Sequence, residues 1–262
     1  MMTPMQMGIV AAVFVAGIAV AALVFWLRER GNAQSRVTEF RDIYEPLFAD
    51  LWSDEMHKRL AALFVAQRTA RSRSAARGLA SVLISFIRRR LSQDAGEGEN
   101  YEDVRLALNI LSSSAVRSAQ ASLGQPIDLG GIDFRGAALF GADLHGFRLA
   151  QARLDRCQLA SANLADTDLT GASMVGTNLQ GADLRRADMS EADVSEADFS
   201  RAKVNAANFS NVNISGTLLA DVTGFIQDQL DLTFGDSETA LPERMRFVAG
   251  RTQRVRRGPN EA

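Results

Sequence analysis

The chain has 262 residues, 47% hydrophobic and 23% charged, with a formal net charge of -2, which allows one large domain or two small ones and excludes bulk disorder. Aromatic residues make up only 7% of it, which argues against an aromatic-rich sandwich or barrel and favours helices or a small-residue repeat. One cysteine, Cys157, and two histidines, His57 and His145, exclude a disulfide framework, a Cys/His zinc centre and a Cys/His catalytic set.

Met7 to Leu27 is an unbroken apolar run of the length a helix needs to cross about 30 Å of hydrocarbon, with Trp26 at its end. No Lys or Arg precedes it, so an uncleaved anchor over residues 1–30 is expected rather than a signal peptide. Arg28, Arg30, Arg36 and Arg41 follow it. By the positive-inside bias the expectation is a single-pass protein of the inner (cytoplasmic) membrane with the bulk of the chain in the cytoplasm.

Residues 31–126 carry apolar side chains at helical spacing. Phe40, Ile43, Tyr44, Leu47, Phe48 and Leu51 form one such stripe, and Leu79, Val82, Leu83, Phe86, Ile87 and Leu91 another. Two more helices are expected, Asp54 to Thr69 behind a Ser53 cap and Tyr101 to Ser113 behind Asn100, with a loop over Gln93 to Asn100. Arg88, Arg89 and Arg90 end the second stripe. They read first as a solvated basic face, and as candidate lipid contacts if the domain is tethered to a membrane.

From Ile127 to Asp221 the sequence repeats every five residues for nineteen units, as in ADLRR ADMSE ADVSE ADFSR. The third residue of every unit is apolar, from Leu129 to Leu219, and eleven of the first residues are Ala. A three-residue strand with in-out-in alternation followed by a two-residue turn makes a corner. Corners repeated without interruption coil the chain into a prism with a narrow core of alternating small and large residues.

The block resembles the pentapeptide-repeat family, whose motif is A(D/N)LXX. The resemblance implies a β-solenoid, a right-handed quadrilateral β-helix with four units per coil, over residues 127–221. RLAALFVAQRTA (Arg59 to Ala70), VLISFIRRR (Val82 to Arg90) and EDVRLALNIL (Glu102 to Leu111) resemble the α-helical domain upstream of the repeats in membrane-anchored bacterial members. FGDSETALPERMRF (Phe234 to Phe247) resembles a segment that follows them. Residues 222–262 are accordingly read as a C-terminal cap and basic tail.

Four units per coil set residues twenty apart on one face. Asp128, Arg148, Asp168, Asp188 and Asn208 form one row, and Asp133, Arg153, Ser173, Asp193 and Asn213 a second. Consecutive acids such as Asp183, Asp188, Asp193 and Asp198 then point to different sides, so they cannot act together as acid and base. The expectation is a non-enzyme with no catalytic, metal or cofactor residue, using no cofactor or small-molecule substrate. The rows, with Asp128, Arg148, Asp168, Asp188, Asp133 and Arg153, are its candidate surface for an unknown protein partner. The alternatives are a DNA-mimicking modulator of a type II topoisomerase, which the resemblance implies, and a structural subunit of a membrane-protein complex. Nucleic acid is not expected as a partner.

Overall fold

The computed structural model describes residues 49–70, 73–93, 101–122, 124 and 126–247. The chain divides into two compact units, Met1–Val65 and Ala66–Ala262. In the first, α1 (Met56–Thr69) begins. The hydroxyl of Ser53 accepts the Glu55 N–H at 3.1 Å, and Arg59 donates to the carbonyls of Ser53 and Asp54, which ties down the turn before the helix. Ser53 thus organises the helix entry, with the first helical residue two positions later than expected.

The second unit opens with α2 (Arg73–Gln93), α3 (Glu102–Leu111) and α4 (Ser114–Ala121), with α2 packed on both α3 and α4. Leu79, Leu83, Phe86, Ile87 and Leu91 of the expected stripe are buried. The short α4 has no counterpart among the expected elements, because SAVRSAQA offers only Val116 as a large apolar residue. The expected Gln93 to Asn100 loop lies, apart from Gln93, outside the described residues.

Among the described residues no helix is long and apolar enough to cross a membrane. The apolar run over 7–27 lies outside the described residues, as do Arg28, Arg30, Arg36 and Arg41. The placement as a single-pass inner-membrane protein is therefore corrected. The longest described helix, α2, has 21 residues, but it carries three consecutive arginines, Arg88 to Arg90, near its end and buries its apolar stripe against neighbouring helices rather than offering it to lipid.

From Asp128 the chain winds as a β-solenoid. Parallel bridges join each second-position residue to the one twenty positions on, as in Asp128↔Arg148, Asp133↔Arg153, Ala138↔Gln158 and Asp143↔Asn163. Five residues per unit and twenty per rung make four units per coil. The three-residue strands expected from the alternation are not formed among the described residues. Each unit contributes one bridging residue, because the turn bends the backbone away immediately after the third residue.

That turn is regular. The first residue of each unit donates its N–H to the third-position carbonyl before it, as Ala137 does to Phe134 at 3.0 Å. The fifth residue takes a positive φ, at glycines such as Gly176 (63°) and equally at Glu191 (62°) or Arg201 (60°). A side chain in this left-handed region costs about 1 to 2 kcal/mol, and here the backbone ladder holds it, as where Glu191 N–H reaches the Ser210 carbonyl at 2.9 Å.

All third-position residues from Leu129 to Leu219 are 0% exposed, and the first positions are no more than 5% exposed. The first-position hydroxyls Thr167, Thr177 and Thr217 are buried without cost because each donates to a carbonyl of the preceding coil: Leu144, Leu154 and Val194. Beyond the repeats, residues 232–240 continue the ladder through Asn213↔Phe234 and Leu218↔Ala240. In the short α5 (Gln227–Leu230), Gln229 donates its side-chain amide to the carbonyls of Val204 and Ala207, and Phe225 meets Phe209 edge-on at 5.0 Å.

Candidate interaction surface

The ladder brings the residues of each expected row together. On the first face Arg148 lies between two acids, 3.5 Å from Asp128 and 3.6 Å from Asp168, all about half exposed. On the second, Arg153 donates to Asp133 at 3.3 Å while Arg135 grips the same carboxylate bidentately. That contact from Arg135 holds the Asp133 carboxyl below the usual carboxylate range. The third row runs Ala138, Gln158, Asn178, Asp198 and Leu218, and the fourth Asp143, Asn163, Asp183, Lys203 and Thr223. On the fourth face Arg186 clasps Asp166 and Arg185 clasps Asp183, and both carboxyl groups are lowered by those bonds. Such exposed pairs are worth little to stability.

The second-position acids do more than line a surface. Asp128, Asp143, Asp168, Asp188, Asp193 and Asp198 each accept the backbone N–H two residues on, at 2.8 to 3.2 Å. Asn163, Asn178, Asn208 and Asn213 accept the same bond. Their amides also donate up the row, Asn208 to Asp188 at 2.9 Å and Asn213 to Asp193 at 3.0 Å. A short side-chain carbonyl that can pin its own turn explains why Asp and Asn hold this position. Composition alone reads Asp188 as solvated surface, where Asp188→Ala is expected to cost less than about 0.5 kcal/mol. With both bonds in place the expected loss is about 1 kcal/mol, readable as a fall in the urea midpoint at unchanged slope.

The remaining candidates fall apart as chemistry. Cys157 is fully buried, its thiol donates to the Ala137 carbonyl at 3.1 Å, and burial pushes its pKa far up. His145 lies 3.4 Å from Asp166, and His57 pairs with Glu55 at 3.3 Å. Among the described residues no group of three or more His, Cys, Asp or Glu is placed to hold a metal ion. The three candidate lipid contacts part ways. Arg90 turns inward to Asp103 at 3.2 Å and over the Tyr101 ring at 5.7 Å, while Arg88 donates to the Gly130 carbonyl of the first coil at 3.1 Å. Arg89 is half-buried.

The family model for pentapeptide repeats matches residues 152–191 and 177–216. The repeat block is a pentapeptide-repeat domain. Among solved structures, the chain is similar to a pentapeptide repeat protein from the Arabidopsis thaliana thylakoid lumen, at 32% identity over 36% of this chain and 63% of that one, with TM-score 0.32. It is also similar to full-length QnrB1, a plasmid-mediated fluoroquinolone resistance protein, at 18% identity over 44% of this chain and 73% of that one, with TM-score 0.25. A third is Rfr23 from the cyanobacterium Cyanothece 51142, at 28% identity over 45% of this chain and 65% of that one, with TM-score 0.20. The chain spans less than two thirds of the Arabidopsis protein and of Rfr23. Comparison with curated proteins finds no match.

Proposed function

We propose that this pentapeptide-repeat chain is not an enzyme and works as a scaffold, binding a protein partner on the faces of its β-helix. The observation that carries the reading is the ladder itself. It fixes rows of half-exposed charged side chains at one-rung spacing on a rigid prism whose core has no polar group left to do chemistry. Such a surface is suited to recognition, where preorganisation lowers the cost of binding. DNA mimicry asks for one continuous negative face. Arg148, Arg153 and Lys203 interrupt the first, second and fourth rows, and the third carries only Asp198.

The test is a charge reversal that spares the fold. Arg148→Glu with Asp168→Lys should cost about 1 to 2 kcal/mol, the exposed ion pairs and the bond from Thr170 N–H to Asp168 together, and should leave the repeat block folded with a modest fall in melting temperature. The same change should release a partner that the unaltered chain retains on affinity capture. Retention of every partner by variants reversed on each face, or substrate turnover that a single polar substitution removes, would contradict the scaffold reading.

A further inference from the structure

We infer that the chain's own basic C-terminal stretch, residues 251–257, docks on the exposed apolar side chains around α5 at the end of the solenoid. The inference concerns the end of the prism and not its faces, so it stands or falls apart from the scaffold reading. Phe225, Gln229 and Leu230 are buried where the cap closes on the last coil. Ile226 and Leu232, on either side of α5, are instead 53% and 50% exposed. The last repeat of a stack needs a polar outer surface, and these two side chains deny it one until something covers them.

The charge of the region names the occupant. Between Val204 and Glu243 the chain has six acids and no Lys or Arg, and between Arg244 and Gly258 it has six Arg and no acid. Two of the acids are committed locally: Asp236 accepts the N–H groups of Gly216 and Glu238, and Asp231 accepts the Gln227 side-chain amide. Asp228 and Glu243 are exposed and form no ion pair with a described residue. The cap therefore offers apolar surface beside unmatched negative charge, and the stretch Arg254, Val255, Arg256 and Arg257 has an apolar residue set among positive ones.

The path of the chain brings the two together. Gln227 donates its side-chain amide to the Arg246 carbonyl at 3.0 Å, and the Phe247 ring occupies the space a Cβ at Gly235 would take. The described chain thus ends beside Gln227, the residue that separates Ile226 from Asp228. Residues 248–262 lie outside the described residues. From Arg246 to Arg251 is five residues, about 17 Å when extended, which is enough to bring Arg251 back to Asp228 and to lay Val255 over the apolar pair. A tether this short holds the stretch at an effective concentration on the order of millimolar, so an affinity of about 0.1 mM suffices to keep it docked most of the time.

Trypsin digestion of the full chain, read by intact mass beside a synthetic peptide of residues 248–262, tests this. At low salt, cleavage after Arg251, Arg254, Arg256 and Arg257 should be about tenfold slower in the chain than in the peptide, because it follows the undocked fraction. Raising the salt should remove most of that protection. Asp228→Lys with Ile226→Ser should bring the chain close to the peptide's rate, with an unchanged circular dichroism spectrum because both side chains are exposed. A tail cut as fast as the peptide at low salt, or protection that survives both substitutions, would overturn the contact. Protection that grows with protein concentration would put the tail on a second copy and overturn it equally. None of these results bears on partner capture by the charged rows, which the reversal at Arg148 and Asp168 reads separately.

Discussion

Leu169→Asp abolishes the cooperative unfolding of the pentapeptide-repeat domain. Leu169 is a third-position residue near the middle rung, 0% exposed, and burial of such a side chain contributes about 1.5 to 3 kcal/mol. The substitution removes that contribution and places a carboxylate in a core only one large side chain wide per unit. The surrounding backbone carbonyls and N–H groups are already committed to the ladder: Leu169 N–H donates to the Asp188 carbonyl at 2.7 Å and Asp168 N–H to the Phe147 carbonyl at 3.0 Å. No partner remains for the new charge, so the expected loss is more than about 4 kcal/mol. In a stack stabilised rung by rung the damage spreads to the adjoining coils. Circular dichroism and limited proteolysis would show a disordered repeat block. A variant that melts like the unaltered chain would mean that Leu169 does not point inward.

Removing one partner of the Arg90–Asp103 pair is the second large effect. Asp103 is 0% exposed, and its other oxygen accepts the Val104 N–H at 2.9 Å. Asp103→Ala leaves a nearly buried guanidinium beside the Tyr101 ring without its carboxylate, for an expected loss of about 3 to 5 kcal/mol. Replacing both partners with apolar residues, Arg90→Met with Asp103→Leu, should cost much less, because no charge is then stranded. Urea denaturation of the three variants distinguishes the outcomes. Equal losses in the single and the double variant would show that packing volume, not the ion pair, is what the site supplies.

The period of five was enough to place the solenoid and its inward residues, because only one register puts every Leu129-type position inside, while the four-unit coil came from the resemblance to the pentapeptide-repeat family. Period and resemblance together were enough to group Asp128, Arg148, Asp168 and Asp188 on one face and Asp133 with Arg153 on the next. Two things escaped both. The turn-pinning role of Asp188 and its equivalents depends on backbone N–H directions, which residue spacing does not reveal. The inward turn of Arg90 depends on Asp103 arriving from another helix. Three consecutive arginines read as one basic patch until the fold assigns one to the first coil and one to a buried pair. The strands shrank to single bridges for the same reason the period is five: two of every five residues are spent on the turn.

The most direct measurement is disulfide formation along a row, in a Cys157→Ala background so that the native thiol takes no part. Ala138 and Gln158 bridge on adjacent rungs of the third face, with Cα atoms about 4.8 Å apart, inside the 4.4 to 6.8 Å range a disulfide spans. Ala138→Cys with Gln158→Cys is expected to oxidise readily under mild conditions. The control pairs Ala138→Cys with Arg153→Cys and Ala138→Cys with Asn163→Cys, which represent three and five units per coil, are expected to stay reduced. Faster closure of either control than of the twenty-residue pair would contradict the four-sided coil and every face built on it.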